Sequence, residues 1–166
     1  MCYSSMWKTP PKIKIYEALG AVSEERIKVT NDGAKVYSSS KKKFYTVTYA
    51  NGKIMSNDNG SYYQSYLGYP SIALLFLKNK LPYNKEYGCA LRNIYWKKLN
   101  QKHDRNKDGD VPDYDYEKVL EEVHKKLEDA GVNLEAFKKY VDKVYQEIKN
   151  SNYEMLGNKT IPPKGY

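Results

Sequence analysis

The chain has 166 residues, with 28 Lys and Arg against 20 Asp and Glu, and its formal net charge is +8. Apolar residues make up 40% of the chain and Tyr alone occurs 18 times, and together with the apolar periodicity described below this argues against an intrinsically disordered protein. The length is sufficient for one domain, residues 1–166, and no apolar run reaches the roughly 20 residues that a membrane-spanning helix needs.

The first predicted element is a short helix in KIKIYEALGAV, whose apolar residues have helical spacing and whose expected end is Gly20. From Ile27 onward the apolar residues instead recur at every second position, which is typical of strands. Two turn sequences, Asn31-Asp32-Gly33 and Asn51-Gly52, divide the β-rich part at about 27–60 into three or four predicted antiparallel strands.

Helical spacing of apolar residues returns after Pro70 and continues over about 70–149. The run SIALLFL predicts a central buried helix, and EYGCALRNIYWKKLNQKH predicts a second helix with a buried thiol at Cys89. YEKVLEEVHKKLEDAG and the segment after Asn133 predict two more helices, and 150–166 is expected to be a loosely ordered tail. Strands followed by helices indicate an α+β fold, with an N-terminal antiparallel β-hairpin or meander packed against about four α-helices.

The segment DRNKDGDVPDYD, residues 104–115, is the most acidic part of this basic chain. It resembles the calcium-binding loop of EF-hand and dockerin-type repeats, in which oxygen ligands at alternate positions surround the cation. Gly109 stands at the sixth position, where the family needs a sharp bend, and Val111 at the eighth, where the family keeps an apolar residue. The resemblance implies a structural calcium site whose ligands are Asp104, Asn106, Asp108, Asp110 and Asp115.

The loop also departs from the family pattern. Its last ligand is Asp rather than the longer Glu, and Pro112 removes a backbone donor at the ninth position. The same residues suit a solvated connector in which Asp113 or Asp115 caps the following helix. Both interpretations, the calcium site and the connector, stay open from the residues alone.

A second resemblance covers residues 34–77, where two predicted strands precede a polar segment and an apolar helix. This order and spacing resemble the SWIM domain, which implies binding to DNA or to other proteins. That family holds zinc with a Cys-x-Cys and a Cys-x-His pair, where this chain has Ser56-Asn57-Asp58 and Tyr69-Pro70-Ser71. Because structural zinc needs sulfur or imidazole ligands, we expect the ββα layout without zinc.

Lysines and tyrosines cluster on both sides of the second predicted hairpin. Lysines can hold phosphates while tyrosine rings stack on bases, so these residues are candidates for nucleic-acid or partner binding: Lys41, Lys42, Lys43, Tyr62, Tyr63 and Tyr66. Tyrosine also suits a protein interface. A third interpretation is that the rings only cover the open end of the sheet.

No catalytic motif is recognisable in the chain. The residues available as bases near neutral pH are His103 and His124, and no Gly-rich phosphate loop or nucleophile elbow accompanies them. The pattern therefore favours a protein that is not an enzyme. An enzyme that uses the acidic loop with a metal ion is the weaker alternative.

We therefore expect a small basic binding protein that engages an acidic partner, either nucleic acid, the first candidate, or an acidic protein surface. The alternative is an adaptor between proteins that uses the tyrosine-rich segment as its interface. A cytoplasmic location without membrane attachment is expected, because the N-terminus lacks the apolar core of a signal peptide. The two cysteines, Cys2 and Cys89, also provide no disulfide framework.

Overall fold

The computed structural model describes residues 5–164, so Cys2 and the last two residues lie outside the described part. This part confirms the α+β fold, with six α-helices, a π-helical turn and a five-stranded sheet. In chain order the elements are α1 (Ile13–Ser23), β1 (Ile27–Thr30), β2 (Gly33–Tyr37), β3 (Phe44–Ala50), β4 (Lys53–Ser56), the π-helical turn (Gly60–Gln64), α2 (Tyr69–Leu77), α3 (Lys85–Ala90), α4 (Trp96–Lys102), α5 (Tyr116–Asp129), α6 (Leu134–Ser151) and β5 (Glu154–Met155).

The first four strands form the predicted antiparallel meander, in the order β1-β2-β3-β4. Asn51 and Gly52 connect β3 to β4 with φ angles of 51° and 78°, the pair of positive values that a tight hairpin turn requires. Gly33 begins β2 because the strands approach closely there: a Cβ at this position would lie 1.8 Å from the Val47 carbonyl oxygen. Both predicted turn sequences are confirmed.

Helices α1 and α2 lie in the centre of the molecule and pack against each other. Nearly every residue of α2 is buried, as its apolar sequence predicts. Helix α1 does not end at Gly20 as predicted but continues to Ser23. Gly20 instead permits close packing, because a Cβ there would lie 3.1 Å from the Leu91 carbonyl oxygen.

The single helix predicted from Glu86 to His103 is wrong, because the chain forms α3 and α4 with an irregular segment between them. Asn93 lies in that segment with a φ of 65°, which interrupts a right-handed helix. The thiol of Cys89 is exposed rather than buried, since α3 is short and presents this residue to solvent.

Helices α5 and α6 form as predicted, and each buries the apolar stripe that its sequence contains. The buried residues are Val119, Val123, Leu127, Phe137, Val141, Val144 and Ile148. Gly131 has a φ of 84° between the two helices. The Asn133 side chain accepts a hydrogen bond of 3.0 Å from the Ala136 N–H, which caps α6 as expected.

The expectation of a loosely ordered tail does not hold at β5, which pairs in parallel with β4. The N-terminal segment supports this strand, because the Trp7 N–H donates to the Tyr153 carbonyl at 2.9 Å. The indole Nε1 of Trp7 also donates to the Ile54 carbonyl on β4 at 2.8 Å. No helix in the described part of the chain is long and apolar enough to cross a membrane.

Candidate functional site

The two faces of the sheet differ in their surroundings. Side chains alternate between the faces of a strand. The inner face is buried against the helices at Val36, Val47 and Ile54 of β2, β3 and β4, whereas Val29 on the edge strand β1 is 63% exposed. The outer face keeps a row of polar and aromatic side chains in contact with solvent. These exposed residues are Lys28, Thr30, Lys35, Phe44 and Thr46.

Two lysines oppose each other on this outer face, because the strand register pairs Lys28 of β1 directly with Lys35 of β2. Like charges at directly opposed positions destabilise a sheet. Neither ammonium group forms an ion pair with a carboxylate among the described residues. The strand register therefore places two exposed positive charges side by side on this face.

An aromatic pair lies beside these lysines. Tyr37 and Phe44 are direct partners across β2 and β3, and their ring centroids lie 5.6 Å apart at an angle of 52°. The Lys35 Nζ lies 5.0 Å from the centroid of the Phe44 ring, and the Phe44 side chain is 38% exposed. Aromatic and cationic groups are thus in contact on an open surface.

The connection between β2 and β3 lies next to this aromatic pair, since β2 ends at Tyr37 and β3 begins at Phe44. The Ser38 N–H donates to the Lys43 carbonyl at 2.9 Å, and the Lys41 N–H donates to the Ser38 carbonyl at 2.8 Å. Lys41 and Lys42 are exposed in this turn. We name the outer sheet surface by its six residues: Lys28, Lys35, Tyr37, Lys41, Lys42 and Phe44.

Lys43 is separated from its two neighbours, because its side chain lies against Tyr45 of the inner face. Its Nζ lies 5.4 Å from the centroid of the Tyr45 ring, and that ring is buried. Burial, and to a smaller extent the charge of Lys97, lowers the pKa of Lys43. The three predicted lysines therefore do not form one patch.

The predicted tyrosines are also divided. Tyr62 and Tyr63 lie in the π-helical turn with their rings edge to face at 4.9 Å and 90°, and Tyr63 is 68% exposed. No ring stacking or cation–π contact joins either ring to Lys41–Lys43 in residues 5–164. Tyr66 is half-buried elsewhere, and burial raises the pKa of its hydroxyl.

Tyr66 belongs to a charged centre that the sequence did not reveal. Lys14 and Glu17 of α1 form an ion pair of 3.1 Å, with side chains only 14% and 4% exposed. The Asn100 Nδ2 donates to the second carboxylate oxygen of Glu17 at 3.4 Å, and the Lys14 Nζ lies 5.6 Å from the Tyr116 ring centroid. One feature of the sequence could have indicated this ion pair: Lys14 and Glu17 are oppositely charged, three positions apart, and lie within the otherwise apolar sequence of α1.

The pKa of Lys14 reflects its pairing inside the protein. Burial alone would lower that pKa, but the combined effect of Glu17, Tyr66 and Tyr116 is larger and holds it well above its ordinary value. The ammonium group thus stays charged and compensated inside the protein. Because each charge already has a partner within the chain, we assign the pair to the junction of α1 with its neighbours.

A second buried polar network surrounds Asp58, in the segment that the SWIM resemblance aligns with the first zinc-binding pair of that family. Ser56 and Ser61 donate to the Asp58 Oδ1 at 2.7 Å and 2.6 Å, and the Ser61 N–H donates to its other oxygen at 3.1 Å. Gly68 lies against this carboxylate, since a Cβ there would be 2.1 Å from it. Ser71, at the position of the SWIM histidine, is fully buried. The strands β3 and β4 followed by α2 have the ββα order, and kinship with SWIM stays a prediction.

The acidic loop is held by contacts within itself. The Asp104 Oδ1 accepts from the N–H groups of Asn106 and Asp113, both at 2.9 Å. Arg105 donates to both oxygens of Asp113, at 3.2 Å and 2.9 Å, which lowers the pKa of this carboxyl. Asp115 accepts from the Lys118 N–H at 3.3 Å and caps α5, as the connector interpretation predicts.

The remaining predicted calcium ligands, Asn106, Asp108 and Asp110, are exposed. Asn106 donates from its amide to the Val111 carbonyl at 2.7 Å. Within residues 5–164 no three His, Cys, Asp or Glu side chains are grouped so that they could hold a metal ion. These contacts favour the connector, and the calcium site stays a prediction.

The fold and its open lysine-rich face define a small basic α+β protein with an exposed sheet surface. The chain belongs to the family described as "Uncharacterised conserved protein UCP014422", whose profile matches residues 7–154. The match covers all four strands of the meander and all six α-helices. No curated protein and no solved structure matches the chain with significance.

Proposed function

We propose that this protein binds single-stranded nucleic acid on the outer sheet surface. The observation that carries the proposal is the direct opposition of Lys28 and Lys35, neither of which has an ion-pair partner among residues 5–164, next to the exposed Phe44. Proteins that bind single strands without sequence preference combine a positive surface with aromatic rings on which bases stack. The outer sheet surface has both components on three neighbouring strands and the turn between β2 and β3.

The two components have separate roles. The rings of Tyr37 and Phe44 would stack on unpaired bases, which a duplex does not offer. Lys28 and Lys35 would contact phosphates on one side of these rings, and Lys41 and Lys42 would contact phosphates at the turn. The surface has no set of hydrogen-bonding groups arranged to read one base, so we infer weak sequence preference.

The experiment is a fluorescence-anisotropy titration of a labelled single-stranded oligonucleotide, with a duplex of the same sequence for comparison. If four lysines each neutralise one phosphate, the affinity should fall about 50-fold between 50 and 200 mM salt, from a slope of about 0.7 per phosphate. Tighter binding of the duplex, or an affinity that does not respond to salt, would contradict the proposal.

The role of the aromatic pair is tested by Phe44→Ala. Losing one stacked base costs about 1–3 kcal/mol, so the affinity should fall from about fivefold to more than a hundredfold. Tyr63→Ala is the matched control, because it removes an exposed ring outside the outer sheet surface. Equal losses in the two variants would show that binding does not depend on this surface.

The adaptor between proteins remains the second candidate, on the observation that Tyr63 is 68% exposed beside Tyr62. Tyrosine is enriched at protein interfaces, and such a contact depends little on salt. If Phe44→Ala leaves oligonucleotide affinity unchanged and no salt dependence is seen, this second candidate takes the place of the first.

A further inference from the structure

A cleft of about 410 Å³ lies between α4 and α5, on the helical side of the molecule. The break between α3 and α4 contributes to it, because Asn93 and Tyr95 of the irregular segment line its wall. Asn93 keeps a left-handed φ of 65° there, and Tyr95 leaves 42% of its surface exposed. Small-molecule sites commonly have volumes of roughly 300–1,000 Å³, so the cleft is large enough for one.

The floor of the cleft is apolar, and it consists of Ile94, Leu99 and Val123. Ile94 and Val123 belong to the hydrophobic core, which makes the floor a rigid part of the fold. An apolar floor of this kind gains from contact with an apolar ring or chain. It offers little to a phosphate backbone, which needs polar contacts along its length.

The rim of the cleft is positively charged. Lys98, Lys102 and Lys126 line it together with a single carboxylate, Glu122. Glu122 is already engaged by the Lys102 Nζ at 2.5 Å and the His103 Nε2 at 3.0 Å.

Two ammonium groups remain at this rim. In the described part of the chain, neither Lys98 nor Lys126 has a carboxylate within ion-pair distance. The cleft therefore has an apolar floor below two cations that no side chain of residues 5–164 compensates. The complementary molecule has an apolar body and a negative end.

We propose that this cleft binds a small amphipathic acid, an apolar ring or short chain that carries a carboxylate or sulfonate group. The acid would place its apolar body on Leu99 and Val123 and its anionic group between Lys98 and Lys126. This site is separate from the outer sheet surface in residues and in ligand chemistry, and it does not depend on nucleic-acid binding.

The test is a titration of the ¹⁵N-labelled protein with 2-naphthoate, followed by amide chemical shifts, with the uncharged 2-naphthamide for comparison. We expect shifts concentrated in residues 93–102 and 119–127, and clearly weaker binding of the amide. Shifts spread over the sheet, equal binding of the two compounds, or no binding at low millimolar naphthoate would overturn the proposal.

A pair of double variants isolates the charge. Lys98→Gln with Lys126→Gln should weaken naphthoate binding roughly fivefold, which is the combined effect of two exposed ion pairs. Lys97→Gln with Lys125→Gln is the matched control, because these exposed neighbours change the net charge equally but do not line the cleft. Equal weakening in both would show that naphthoate senses only the overall charge. The spectra also show whether each variant is folded.

Discussion

At the level of single residues, two pairs of charged side chains differ in burial and in pairing. Lys14 and Glu17 are buried and paired with each other, because a buried charge without a partner would cost several kcal/mol. Lys28 and Lys35 are exposed, opposed and unpaired within residues 5–164, although the sheet would be more stable without their repulsion. The first pair maintains the fold, and the second pair carries the proposed function.

Substitution of Asp104 tests whether contacts within the chain hold the acidic loop together. Asp104→Ala removes the acceptor of two backbone N–H groups, so the free energy of unfolding should fall by about 1–2 kcal/mol in urea denaturation. We expect the same loss in EGTA and in millimolar calcium, because the contacts involved are within the chain.

Asp108→Ala is the control for this loop. Asp108 is exposed and neighbours Gly109 at the tip, so its removal should change the unfolding free energy by less than about 0.5 kcal/mol. A loss on Asp104→Ala that appears only in calcium, with a midpoint of the wild type raised by calcium, would instead establish the cation site that the EF-hand resemblance implies.

His124 should make the stability depend on pH. Its Nε2 lies 2.7 Å from the Tyr16 hydroxyl, and burial, followed by the charge of Lys138, lowers its pKa, while Glu128 opposes this shift. A histidine whose pKa is lowered by folding stabilises the folded state at pH values above its pKa in the unfolded chain, which is about 6.5. This stabilisation is lost as the pH falls from about 6.5 through the pKa of His124 in the folded state, because in this range the unfolded state binds more protons than the folded state.

The measurement is the unfolding free energy at several pH values between 5 and 8. His124→Gln keeps a hydrogen-bonding group for Tyr16 and should flatten the decline below about pH 6.5. His103→Gln leaves the contact between Tyr16 and His124 intact, so the His124-dependent decline should persist. An unchanged profile in His124→Gln would contradict this assignment.

Secondary-structure elements differ in how far their own sequence determines them. The local sequence determines the meander and helices α5 and α6, since the alternation of apolar residues, the turn sequences and the apolar stripes are all present in it. The break between α3 and α4 coincides with a close contact between distant segments, since the Leu91 carbonyl lies against Gly20 of α1. Strand β5 depends on distant segments, because it pairs with β4, about a hundred residues earlier in the chain, and is held by the N-terminal segment on its other side. Neither contact leaves a signal in the local sequence.

Substitutions of Asn93 test whether its left-handed backbone conformation is needed for the break between α3 and α4. Its φ of 65° is tolerated by Asn and Gly, whereas a β-branched side chain is strained there. We expect Asn93→Val to lower the free energy of unfolding by about 1–2 kcal/mol. Asn93→Gly should leave it within about 0.5 kcal/mol of the wild type. Equal losses in urea denaturation would mean that the side chain, not the backbone, matters at this position.

At the scale of the whole molecule, the sequence predicts the fold class but not how the candidate functional residues are grouped in space. Lys41–Lys43 are adjacent in sequence, but the Lys43 side chain lies against Tyr45 of the inner face, whereas its neighbours are exposed at the turn. The outer sheet surface became visible only with the strand register, which places Lys28 opposite Lys35. The Lys14–Glu17 pair likewise needed the contacts between distant segments that surround α1.

The most direct test of the central claim is the salt dependence of oligonucleotide affinity in a charge-matched pair of variants. Lys28→Gln with Lys35→Gln should reduce the slope of log affinity against log salt by about 1.4, since each phosphate contact on a single strand contributes about 0.7. Lys118→Gln with Lys125→Gln on α5 changes the net charge equally and should leave the slope nearly unchanged. Equal slopes in the two variants would contradict binding on the outer sheet surface.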